Sequence, residues 1–112
     1  MGNGILDTTF AELLREFVEG FGDLGEEATY AHVARIVTDR PPGDDPPARG
    51  TISKIVRGKA TKLPSLETID LWARTAPLDD DTAFRWKLVA MLERAKPVER
   101  EVLDDLIRKA GL

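Results

Sequence analysis

None of the seven prolines in this 112-residue chain interrupts a run of helically spaced apolar residues; each stands at an edge of one. A proline inside a helix removes a backbone bond and clashes with the preceding turn. The prolines and their neighbouring glycines therefore punctuate a series of short helices. Phe10, Leu13, Leu14, Phe17, Val18 and Phe21 recur at three- and four-residue steps, after a cap at Thr8 or Thr9 and before Gly20 and Gly22. A second helix is expected over Thr29–Thr38, capped by Thr29 and ended by Asp39-Arg40-Pro41-Pro42. A third, short helix is expected over Thr51–Arg57, with Ile52, Ile55 and Val56 facing inward and Gly58 as its left-handed C-terminal residue. Ser65 caps a fourth, carrying Leu66, Ile69, Trp72, Ala73 and Ala76; Pro77 stops it. Asp79, Asp80 and Asp81 suit the positive end of a fifth, marked by Phe84, Trp86, Leu88, Val89, Met91 and Leu92. Pro97 opens a sixth, with Val98, Val102, Leu103, Leu106 and Ile107, and Gly111 ends it. No stretch alternates as a strand would. The expectation is an all-α, compact bundle of about five to six helices.

This length makes one domain, read as a core over 8–78 with a Pro-rich loop insert at 39–50, and a C-terminal helical extension over 79–112. With no Cys there is no disulfide and no Cys-based zinc site, and with His32 as the one histidine there is no multi-His metal site. No nucleophile, base and orienting group can be assembled, nor a Gly-rich phosphate loop. The expectation is a protein without catalytic residues, metal or cofactor. Residues 1–10 lack a basic region followed by an apolar run, and no stretch approaches the roughly 18 apolar residues of a membrane span. A cytoplasmic setting is expected, with no membrane partner.

The charge is unevenly spread. Sixteen cations and 20 acids give a net −4, yet Arg49, Lys54, Arg57, Lys59 and Lys62 all precede the next acid, Glu67. Without those five the balance is 11 against 20, or −9. Such a cationic island on an acidic chain points to a polyanionic partner. Its layout is a short amphipathic helix, a glycine, a basic connector, Pro-Ser and another apolar helix. The major groove of double-stranded DNA admits one α-helix, apolar on its inner face and polar or basic on its outer face.

TISKIVRGK followed by PSLETIDLWA resembles the phage-repressor-like (Xre/Cro-type) helix-turn-helix family, over roughly Phe10 to Ala76. Ala34 stands where that family places a small residue in its second helix. The resemblance implies a lambda-repressor-like helix-turn-helix that binds double-stranded DNA. It implies base contacts from Arg49, Gly50, Thr51 and Lys54, and phosphate contacts from Thr29, Tyr30, Arg57, Gly58 and Lys59. The outward positions of the third helix add Ser53 to the base-reading set, and the basic connector adds Lys62 to the phosphate-binding set. The chain departs from the family's pattern in its turn between helices two and three, lengthened by an insert over Thr38–Pro47.

Several residues have more than one reading. Tyr30 either hydrogen-bonds a phosphate through its hydroxyl or closes the core edge with its ring. His32 is expected to face solvent. Trp72 and Trp86 are expected in the core or in a dimer interface rather than as base-stacking platforms. Asp44 and Asp45 would be repelled by phosphate, so their loop tip is expected to point away from DNA. The segment from Asp81 onward either completes the core or forms a homodimer, which would set two reading helices about one DNA turn apart. The expected function is a transcriptional regulator, a nucleoid-associated repressor. The competing reading is a protein-interaction module, antitoxin-like or secretion-linked, that binds a protein partner.

Overall fold

A computed structural model describes residues 8–22, 25–41, 43 and 46–111. They form six helices: α1 (Phe10–Glu19), α2 (Glu26–Val37), α3 (Ala48–Val56), α4 (Leu66–Thr75), α5 (Asp80–Arg94) and α6 (Pro97–Ala110). No strand occurs among the described residues. The fold is all-α, as the spacing of its apolar residues implies.

Local chemistry accounts for most helix ends. Thr9 accepts a hydrogen bond from the Glu12 amide at 3.2 Å, Ser65 from Thr68 at 3.2 Å and Asp79 from Thr82 at 2.7 Å. The Thr82 amide and hydroxyl beside Asp79 hold its carboxyl below the ordinary aspartate value, with Arg85 adding to the effect. Pro97 opens α6, where the Glu99 carboxylate accepts the Lys96 amide at 3.0 Å. Gly111 closes α6 at φ 76°. Asp39 takes the left-handed turn after α2 at φ 54°, and the Arg40 amide donates back to the Arg35 carbonyl at 2.8 Å.

Two boundaries differ from expectation. Thr29 does not cap α2, which begins at Glu26 after Gly25 at φ 84°. The Thr29 hydroxyl instead donates to the Gly25 carbonyl at 2.5 Å, inside the first turn. The third helix starts three residues early, at Ala48, because Pro47 stands at its N-cap, where a missing N–H costs nothing. Arg49 and Gly50 are therefore helical rather than part of the loop insert.

The core is built from both halves of the chain. Phe10 and Leu14 of α1, Val33, Ala34 and Val37 of α2, and Ile52 and Ile55 of α3 are buried with Ile69, Trp72 and Ala73 of α4. Trp86 of α5 joins them, its ring edge-on to both Phe10 and Phe17 at 5.6 Å. The Glu93 carboxylate accepts the Phe10 amide, tying the end of α5 to the start of α1. So both tryptophans are core residues, and α5 completes the core on which α1–α4 close.

α6 is different. Ile107 alone is buried, with Leu103 partly so, while Val98, Val102 and Leu106 are 74%, 56% and 56% exposed. The radius of gyration is 14.5 Å, against about 13 Å for a compact domain of this length. Phe84 and Met91 also leave an apolar strip on the outer side of α5.

Candidate nucleic-acid interface

α3 owes its position to its own amphipathicity. Ile52, Ile55 and Val56 are buried against α1 and α2. At 100° per residue, that turns Gly50, Ser53, Lys54 and Arg57 outward, at the i, i+3, i+4 and i+7 positions of one face. Arg49 and Thr51 flank them on either side.

The C-terminal end of α3 is fixed by three devices. Gly58, at φ 73°, donates to Ile55 at 3.1 Å, and the Lys59 amide donates to Lys54 at 2.8 Å. These are the paired bonds of a left-handed glycine cap. The Arg15 guanidinium of α1 then donates to the Val56 carbonyl at 2.8 and 3.3 Å. A cation at a helix C-terminus satisfies orphan carbonyls and complements the dipole. Third, the Arg57 guanidinium lies 5.4 Å from the centre of the buried Tyr30 ring, a cation–π contact that joins the end of α3 to α2.

Charge is arranged unusually at the opposite end. α1, α4, α5 and α6 each carry an acid in the first turn, as the helix dipole favours. α3 carries none and has Arg49 there instead. Its positive dipole end and a guanidinium coincide, which costs stability and attracts anions.

The outer face of α3 and the turn after it enclose an open depression of about 410 Å³. Among the described residues it is lined by Arg49, Gly50, Ser53, Lys54, Arg57 and Lys59, four cations and no acid. Of the expected base-reading set, Arg49, Gly50, Ser53 and Lys54 line it; Thr51 is exposed on the same helix. Of the expected phosphate-binding set, Arg57 and Lys59 line it, with Gly58 exposed between them.

Three expected residues lie elsewhere. Thr29 and Tyr30 are each only 4% exposed. The Thr29 hydroxyl is bound within α2, and the Tyr30 ring belongs to the core edge, where it supports Arg57. Lys62 opens on a separate, larger cleft of about 700 Å³, with Thr9, Ile55, Leu63, Glu93 and Arg94. Charges of both signs line that cleft. Glu93 already accepts the Phe10 amide there, and Arg94 already donates to the Pro64 carbonyl. It lacks the single-sign character of the α3 face. His32 is half-buried, its ring edge-on to Phe21 at 5.1 Å, rather than fully solvent-facing. The expectation for Asp44 and Asp45 lies outside the described residues.

Arg15 was not singled out by sequence. Nothing local marks it, because its partner carbonyl is 41 residues away in the chain. Comparison with protein-family models, with curated proteins and with solved structures found no match.

Proposed function

We propose that this chain is a sequence-specific, double-stranded-DNA-binding transcriptional regulator that acts as a homodimeric repressor. One observation carries the reading: among the described residues, the outer face of α3 and its exit turn bring four cations and no acid together on an otherwise acidic chain. A helix offering small and basic side chains outward, held at its base by other helices, matches what a major groove accepts.

In this reading α3 enters the groove. Arg49, Thr51, Ser53 and Lys54 face base edges, and Gly50 permits close approach. Arg57 and Lys59 meet phosphate at the helix exit, where Gly58, its own amide bonded to Ile55, lets the backbone come close. Tyr30 positions Arg57 rather than reaching DNA itself. Repression follows from occupancy, the bound protein excluding polymerase from the same site. The acidic remainder of the chain repels phosphate and disfavours binding in other orientations.

The exposed stripe on α6 is the observation that favours the second reading, a protein-interaction module. Self-association through that stripe would leave the DNA reading intact.

Salt dependence tests the phosphate role directly. Each phosphate contact releases counterions, so affinity for duplex DNA falls linearly on a logarithmic salt scale. Lys59→Ala is expected to weaken binding to all sequences alike and to reduce the slope by about one. Fluorescence anisotropy of a labelled random-sequence duplex over a salt series measures it. A slope unchanged in Lys59→Ala would remove that residue from the interface.

A further inference from the structure

Lys62 stands apart from the cationic face of α3, and among the described residues no hydrogen bond or ion pair engages it. It opens on the cleft of about 700 Å³ between the start of α1, the connector after α3 and the end of α5. We propose that this cleft binds a small monocarboxylate with an apolar body, its carboxylate on Lys62 and its body on the cleft floor. The proposal goes beyond the DNA reading and does not rest on it, because the cleft lies off the α3 face and its experiment uses no DNA.

The walls of the cleft are held in place from within the chain. The connector is fixed at one end by the Ala60 amide, which donates to the Lys54 carbonyl at 3.2 Å. It is fixed at the other by Arg94, whose guanidinium donates to the Pro64 carbonyl. The Glu93 carboxylate accepts the Phe10 amide and ties the end of α5 to the start of α1. A site already in shape loses less entropy when its ligand arrives.

The floor is apolar. Ala11, Ala60 and Leu63 are partly buried against the core, and the buried Ile55 joins them. Small-molecule sites have this composition, mostly apolar walls with a few polar groups, and volumes of roughly 300–1,000 Å³. A body of several carbons gains by leaving water here.

Charge selects the head group. Among the described residues, Lys62 and Arg94 are the cations of the cleft and Glu93 is its acid. Glu93 is already compensated by the Phe10 amide and by the positive end of α1. Arg94 donates to Pro64 and keeps further N–H groups, since a guanidinium has several. The balance left for a ligand is positive, and one negative charge answers it. A phosphate dianion would bring a second charge beside Glu93, and an amine would meet two cations. Thr61 is exposed and without a partner, and its hydroxyl lines the cleft next to Lys62 in the chain. A carboxylate accepts from an ammonium and a hydroxyl together.

Amide NMR titration of the full chain without DNA tests the site, with acetate, butanoate and hexanoate as probes and hexylamine and inorganic phosphate as contrasts. Hexanoate is expected to shift the amides of Ala11 and of residues 60–63, and to leave those of α6 unmoved. Affinity is expected to rise about fourfold with each added CH₂ along the acid series. Lys62 is exposed, so Lys62→Gln is expected to keep its melting temperature while binding hexanoate about tenfold more weakly. No binding by hexanoate at millimolar concentration would overturn the proposal. So would an affinity indifferent to chain length, equal binding of hexylamine or inorganic phosphate, shifts centred on the outer face of α3, or undiminished binding by Lys62→Gln.

Discussion

Gly50 sits on the outer face of α3, and nothing lies within 4 Å of where its Cβ would be. The fold has no use for a glycine at this place: its φ is not left-handed, and a glycine inside a helix costs about 0.5–1 kcal/mol relative to alanine. The DNA reading gives it one, the close approach of a groove wall. Gly50→Ala is therefore expected to raise the unfolding midpoint, by up to about 1 kcal/mol in stability, and to weaken DNA binding. Thermal denaturation and duplex titration of the same variant check the two halves. A variant both more stable and equally tight on DNA would show that nothing approaches that face closely. Gly58 is the opposite case, since its positive φ is needed to end α3, and its role is legible from the Gly-Lys that follows an amphipathic run. Ser65 and Asp79 are legible for the same reason, because cap chemistry acts within three residues. Thr29 shows where that logic stops. Threonine is a good cap, yet here the helix runs through it and the hydroxyl bonds back to Gly25.

At the scale of helices, apolar spacing located all six, and errors fell at the ends facing irregular chain. α3 begins at Ala48 because two prolines precede it and the second can stand at the N-cap; by spacing alone, its first turn carries no apolar mark beyond Ala48. That shift matters chemically. It moves Arg49 and Gly50 from a loop onto the helix, in register with Ser53, Lys54 and Arg57. The anchor of α3 was illegible, because the bond from Arg15 to Val56 depends on how α1 and α3 are juxtaposed. Arg15→Ala is expected to cost about 1 kcal/mol, modest because the side chain is exposed. It is expected to lower DNA affinity without changing base preference, since Arg15 holds the helix and faces no base. Denaturant midpoints with competition on several duplexes check this; unchanged stability would mean that Gly58 and Lys59 close α3 unaided.

For the molecule as a whole, the all-α bundle was legible because each helix announces its apolar face. How those faces meet was not. That Trp86 would lie between Phe10 and Phe17, and that Glu93 would cap the start of α1, are long-range facts with no local signal. They make the inner side of α5 part of the core, while its outer strip at Phe84 and Met91 and the outer face of α6 stay open. Of the expected site, the residues on α3 and its exit turn were gathered onto one surface; Thr29, Tyr30 and Lys62 were not, because side-chain direction depends on the neighbouring helices. The central claim is that this surface reads DNA sequence. Selection from a random double-stranded DNA pool at near-physiological salt, with wild type and Lys54→Ala in parallel, tests it most directly. The account predicts an enriched, two-fold symmetric site for the wild type, with Lys54→Ala losing about 1–3 kcal/mol on it and relaxing one base preference. No enriched site, with binding that disappears as salt rises, would contradict sequence reading and leave general attraction to phosphate.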